Sequence, residues 1–252
     1  MMKIRIKFRK YGTMKFIGHL DVMRYFQKAI RRAEVNIRYS EGFSPHQIMS
    51  FAAPLGVGNT SNGEYVDIEV SSTKDSETMK KCLNGVMSEG FEVVSYRGLP
   101  DDAANAMSIV GAGDYTLAFR PGYEPEDMDK ETWFQGLIAF FERPSVMVTK
   151  KTKRGDKEMD LKPLVYELRI CPEGDGEMEG PRLFMKISAG SAANVKPEQV
   201  LDAYYGFLGK ERPPFAFMVQ REEVYADRAS DAEKEAGIHS FISLEQLGEE
   251  IR

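Results

Sequence analysis

The side chains of this chain best equipped for acid–base, nucleophilic or metal chemistry are three histidines, His19, His46 and His239, and two cysteines, Cys82 and Cys171. His19 stands in Gly18-His19-Leu20-Asp21, at the start of a helical pattern. A helix N-terminus attracts anions and lowers a histidine's pKa, so His19 could donate to a phosphate or act as a neutral proton acceptor. A capping or packing histidine bonded to Asp21 or to backbone is the alternative. Tyr39-Ser40-Glu41-Gly42-Phe43-Ser44-Pro45-His46 gathers an acid, a histidine and two aromatics among turn formers. Loops between rigid elements are where sites concentrate, and Glu41 with His46 could form an acid–base pair. A tight turn whose aromatics plug the core is the other reading of this loop. The histidines lack mutual ligand spacing, and two cysteines 89 residues apart cannot hold a metal or a [4Fe–4S] cluster alone. Gly56-Val57-Gly58 does not extend to G-x-G-x-x-G, and neither a P-loop nor G-x-S-x-G occurs. No metal or cofactor is expected from these motifs.

The remaining chemistry is charge. The formal net charge is -5, but residues 1–50 carry 11 Lys/Arg against three acids, a balance of +8, and the rest carries -13. One basic feature combines Arg5, Lys7, Arg9 and Lys10 with a helical stripe of Arg24, Lys28, Arg31 and Arg32, followed by Arg38. A second runs through Lys150, Lys151, Lys153, Arg154 and Lys157 to Lys162. A basic face binds polyanions by releasing counterions, and neighbouring aromatics can stack on bases. Tyr11, Tyr39, Phe43 and Tyr65 are placed to do so. The competing reading is a solvated helix face beside a strand guarded by lysines. No aromatic-rich strand of the RNA-recognition-motif type is present.

The elements that must position these groups follow from periodicity. Ile4, Ile6 and Phe8 alternate with basic residues as a strand, so the N-terminus is not a signal peptide. Leu20, Met23, Phe26, Ile30 and Ala33 make one apolar face of a helix over 18–34. Strands are expected at 48–52, 65–70 and 91–96, with a turn-rich loop at 56–63 and a helix over 75–89 that Gly90 ends. The order is β-α-β-β-α-β, the split βαβ of ferredoxin-like folds. After a small, polar stretch at 98–113, the same plan with an added strand recurs: strands at 115–120 and 146–148, a Gly155-Asp156 hairpin, strands at 164–170 and 183–187, and a strand at 215–221. Its helices are expected at 129–142 and 197–209. The expectation is an α+β chain of two tandem ferredoxin-like units with antiparallel sheets, over 1–100 and 113–225, and an acidic C-terminal tail at 226–252. At 252 residues, 42% apolar and 29% charged, with no run near the ~18 apolar residues a membrane helix needs, a cytoplasmic protein without membrane contact is expected.

Several of these segments also carry a family likeness. Residues 15–24, the 39–46 loop, Ser50-Phe51-Ala52-Ala53-Pro54-Leu55-Gly56-Val57-Gly58, Gly63-Glu64-Tyr65-Val66-Asp67 and Asp160-Leu161-Lys162-Pro163-Leu164 resemble the radical-SAM-linked family of uncharacterised bacterial proteins. The resemblance spans about residues 3–220. It implies a partner, a cobalamin-binding radical S-adenosylmethionine protein, to which members are fused or adjacent, and gene neighbourhoods holding a ribonuclease and ribosomal proteins. The leading expectation is a non-catalytic accessory or substrate-recognition protein that binds rRNA or tRNA for that enzyme. A metal-independent endoribonuclease using His19 with His46 or Tyr39 is an alternative, by architectural similarity to CRISPR-repeat-processing enzymes. A protein–protein adaptor without RNA binding is another.

Overall fold

A computed structural model describes residues 2–152, 155–174, 178–190 and 193–252. The fold is mixed α+β, with six α-helices among the described residues and antiparallel strand pairing. It divides into two units, one of residues 1–111 with 221–252 and one of residues 112–220. No helix among the described residues is long and apolar enough to cross a membrane.

The first unit opens with β1 (Met2–Lys10) and α1 (His19–Arg32), joined by a 3-10 turn at Gly12–Phe16. β2 (Met49–Phe51), β3 (Thr60–Val70), α2 (Ser76–Asn84) and β4 (Phe91–Leu99) follow. β1 lies between β3 and β4, and β2 pairs with β3, giving the order β4-β1-β3-β2. The alternation expected of β1 sends Ile4, Ile6 and Phe8 into the core, where α1 adds Val22, Phe26, Ala29 and Ile30. Phe8 and Phe26 meet with centroids 4.4 Å apart, and Phe51 closes edge-on at 5.6 Å from Phe26. α2 is shorter than the periodicity predicts. It stops at Asn84 because that side chain leaves the helical surface to bond the Val93 amide and carbonyl of β4, at 2.7 and 2.9 Å. Gly90, expected to end the helix, serves a different turn: its φ is +96°, and a Cβ there would lie 2.8 Å from the Tyr11 carbonyl. The polar stretch after β4 contains a one-turn helix, α3 (Ala106–Ile109), capped by Asn105.

The second unit takes the greater part of β5 (Val110–Phe119), then α4 (Lys130–Phe141), β6 (Met147–Thr152), β7 (Gly155–Asp160), β8 (Val165–Gly174), β9 (Gly180–Ser188) and α5 (Pro197–Phe207). The start of β10 (Phe217–Asp227) completes it, in the order β10-β5-β9-β8. Trp133, Phe134 and Leu137 of α4 pack on Phe119, Phe217 and Tyr204 in one aromatic core. β6 and β7 form a two-stranded ribbon of their own, turned at Gly155 with φ +112°. Asp160 anchors its root by accepting the Val146 and Lys162 amides at 2.8 and 2.9 Å.

The segment from 221 onward is grouped with residues 1–111 and is not a detached tail. After β10 come a short helix, α6 (Asp231–Glu235), β11 (Phe241–Ser243) on β10, a 3-10 turn at Leu244–Leu247 and β12 (Glu249–Glu250) on β4. The acidic stretch expected as a tail thus ends in a 3-10 turn and strand pairing, with Leu244 fully buried. β3 also starts earlier than expected, taking Asn62 and Gly63 out of the turn-rich loop. β10 explains it: a Cβ at Gly63 would lie 2.7 Å from the Glu222 carbonyl, so glycine lets the two backbones approach.

Candidate functional site

The basic residues of β1 point to partners inside the protein. Arg5 is 2% exposed, and its guanidinium makes two bonds to Asp67, at 2.8 and 2.9 Å, and a third to the Leu244 carbonyl. The Lys7 ammonium reaches Glu223 at 2.7 Å and Glu245 at 3.1 Å. Burial alone would lower its pKa, but the two carboxylates outweigh burial and hold it above the ordinary lysine value. Arg9 pairs with Glu92 and Arg38 with Glu69. Tyr65, a stacking candidate from sequence, is buried and donates to Glu223; burial and that carboxylate push its pKa up. Arg5, Lys7 and Arg9 of the first basic feature are thus held in ion pairs within the protein, Lys7 with two acids of the segment at 222–250 and the others with Asp67 and Glu92. No pattern local to residues 1–50 carries that information.

Lys10 is the most unusual of them. It is buried, and its ammonium donates to the carbonyls of Ile17 at 3.0 Å and Lys15 at 3.4 Å. Burial lowers its pKa, Glu64 opposes that and Arg221 adds to it. Glu64 and Arg221 form a buried ion pair, with the guanidinium also donating to the Ala53 carbonyl at 2.8 Å. His19, partly buried after the extended Gly18, sets its ring edge-on to Phe51 at a centroid distance of 5.4 Å. With Lys10 and Glu64 it lines a small pocket of about 10 Å³, room for about one water. Lys10, Glu64 and Arg221 escape a sequence search because they meet across three separate strands. The one signal is a set of charged residues where alternation expects apolar ones.

The exposed cations lie on α1. Arg24, with a side chain 71% exposed, pairs among the described residues only with its helix neighbour Asp21 at 3.2 Å, and such a pair is worth little. Lys28 and Arg31 are exposed and have no ion pair among the described residues. Arg32 closes the far edge of the stripe by donating to the Val86 carbonyl at 3.0 Å. On the other edge Gln47 donates to the Gln27 carbonyl at 3.3 Å, which sets the root of the 39–46 loop beside the stripe.

That loop is a small closed hairpin. The Ser40 amide donates to the His46 carbonyl at 2.8 Å, the His46 amide to Ser40 Oγ at 3.1 Å, and His46 Nδ1 shares a 2.8 Å bond with the same hydroxyl. Tyr39 bridges Gln47, and Gly42 takes φ +107°, which favours glycine. Its aromatics do not plug the core: Phe43 is fully exposed and Tyr39 about half exposed. Glu41, Ser44, Pro45 and His46 are exposed too. Among the described residues no bond joins Glu41 to His46, and neither lines the cavity beside His19. The structure ties Gln47, next to this loop, to the Gln27 carbonyl of α1 and leaves His19 and His46 in different surroundings.

Of the second basic feature, Lys150 and Lys151 lie on β6, while Lys153 and Arg154 are outside the described residues. The Lys162 ammonium donates to the Phe141 carbonyl at the C-terminus of α4, a helix-end role that the macrodipole favours. Cys82 and Cys171 are free thiols, partly buried. No group of three or more His, Cys, Asp or Glu side chains suited to a metal ion occurs among the described residues. Residues 3–197 match the model of a protein family described as "Uncharacterized protein conserved in bacteria (DUF2344)". No curated protein matches the chain.

Proposed function

We propose, from the premise that this chain belongs to that family of uncharacterised bacterial proteins, that it is an RNA-binding accessory protein whose contact surface is the outer face of α1 with the 39–46 loop. One observation carries the reading. Arg24, Lys28 and Arg31 stand exposed on α1, and the loop that follows, tied to that helix through Gln47 and the Gln27 carbonyl, exposes Phe43 and Tyr39 to solvent. Cations tracking a backbone next to exposed rings suit a single-stranded or looped RNA, and an exposed phenylalanine otherwise has a hydration cost. The strand orders β4-β1-β3-β2 and β10-β5-β9-β8 follow one permutation, which supports reading both units as split βαβ, ferredoxin-like modules. The motifs that resemble the radical-SAM-linked family support a radical S-adenosylmethionine enzyme as the partner it serves. Cleavage by His19 with His46 has less support, since the two do not share a cavity. Filter binding of bulk tRNA and an rRNA fragment at low salt tests the reading. Binding is expected to weaken when Arg24 and Arg31 are changed to Gln and when Phe43 is changed to Ala. Absence of RNA affinity at low salt, or affinity indifferent to all three, removes it.

A further inference from the structure

In the second unit an open groove of about 540 Å³ runs between β6 and α5, within the ~300–1,000 Å³ typical of binding clefts. One wall is the consecutive run Ser145–Thr149; the other is a single stripe of α5, Gln199, Asp202, Ala203, Gly206 and Phe207, spaced at three and four residues. Phe140 and Arg143 close one end.

The backbone of β6 makes this groove specific. Among the described residues β6 pairs with β7 alone, so one edge of the ribbon has no described strand beside it. The Leu161 amide donates to the Val146 carbonyl at 2.9 Å, so Val146 faces β7. Alternation in an antiparallel ladder then turns the N–H and C=O of Met147 and Thr149 outward. Both residues are exposed and both line the groove. A strand edge opposite a helix, whose outward main-chain donors and acceptors have no partner among the described residues, matches what an extended peptide needs to add itself as a strand.

Charge and shape specify the peptide further. The Arg143 guanidinium stacks over the Phe207 ring at 4.1 Å and the Phe140 ring at 5.2 Å, and meets no carboxylate among the described residues. Asp202, the acid in the lining, is held by Arg212 at 2.6 Å. Lys150 and Lys151 continue β6 beyond the groove. Phe207 and Met147 are each about half exposed, and a Cβ at Gly206 would meet nothing within 4 Å, so apolar side chains have space there. We infer that this groove binds an extended acidic segment of a partner protein, with alternating apolar and acidic residues, as a third strand on β6. A peptide is favoured over RNA here because its main chain repeats a donor and an acceptor in register with the outward N–H and C=O groups, whereas phosphates only accept.

The test uses the full chain and a fluorescein-labelled peptide, Asp-Val-Glu-Val-Asp-Ile, followed by anisotropy. Saturable binding is expected, together with slowed amide exchange at Met147 and Thr149. At least a tenfold loss is expected in Arg143→Ala, in Gly206→Trp, which fills the open wall, and in Thr149→Pro, which removes an outward N–H while leaving the β7 ladder whole. No saturable binding, equal affinity for a Lys-Val-Lys-Val-Lys-Ile peptide, or affinity unchanged in Arg143→Ala and Gly206→Trp overturns the inference. A labelled oligouridine that binds and protects the same two amides would also overturn it, in favour of RNA.

Discussion

At the scale of single residues the protein separates charges that hold it together from charges left for others. Glu64 and Arg221 belong to the first kind. Removing one member of a buried ion pair leaves the other uncompensated, so Glu64→Ala is expected to cost about 3–5 kcal/mol in urea unfolding, whereas Glu64→Leu with Arg221→Met is expected to cost much less. Equal losses in the two would show that the site resists apolar repacking and would contradict this reading of the pair. Phe43 belongs to the second kind. Because its ring touches solvent and not core, Phe43→Ala is expected to shift stability by less than about 0.5 kcal/mol. RNA affinity is expected to fall by about 1–3 kcal/mol if the ring stacks on one base. A thermal melt and a binding titration of the same variant separate the two effects. His19 and the 39–46 loop are conspicuous in the sequence because histidine is rare in this chain and glycine and proline have specific backbone uses. The direction in which Phe43 points was not legible, since a loop aromatic can turn inward or outward on the same pattern.

At the scale of elements, periodicity located α1, β1, α4 and β8 to within a few residues, because each has a buried face that writes 3.6 or 2.0 into the sequence. The boundaries that moved did so for tertiary reasons. α2 ends where Asn84 finds the backbone of Val93, and β3 begins early because β10 lies against it at Gly63. Val93 lies in the next element after Asn84, whereas Glu222 is remote in sequence from Gly63. Gly63→Ala tests the second point. Its Cβ would collide with the Glu222 carbonyl, a backbone atom that cannot swing away, so a loss of about 1–3 kcal/mol is expected, with weaker amide protection in β3 and β10. A neutral substitution would show that the strands can separate without cost.

At the scale of the whole molecule, the division of charge between the first fifty residues and the rest is largely a folding device. Arg5, Lys7, Arg9 and Arg38 are paired with acids of the protein itself, and Lys7 with Glu223 and Glu245 helps join the segment from 221 onward to the first unit. pH reports on this. Burial would raise the Asp227 carboxyl, but His239 and the amides of Ser240 and Ala229 outweigh it and hold it below the ordinary aspartate value. Burial likewise opposes Lys7 at Glu245, and the net shift is again downward. A carboxylate whose pKa is depressed on folding stabilises the fold above its unfolded value and loses that contribution as pH falls through the folded one. Urea midpoints are therefore expected to decline as pH drops below about 4.5, and Asp227→Asn with Glu245→Gln should flatten that decline; an unchanged slope would contradict it. The charges not consumed this way are those of α1, and the central claim rests on them. The most direct test is the salt dependence of RNA binding by the native chain and by a variant with Arg24, Lys28 and Arg31 all changed to Gln. A single-stranded site contributes a slope of about -0.7 per neutralised phosphate, so the account predicts that log K against log salt is shallower by about 2 in the variant. Equal slopes for the two proteins would place the RNA elsewhere and contradict it.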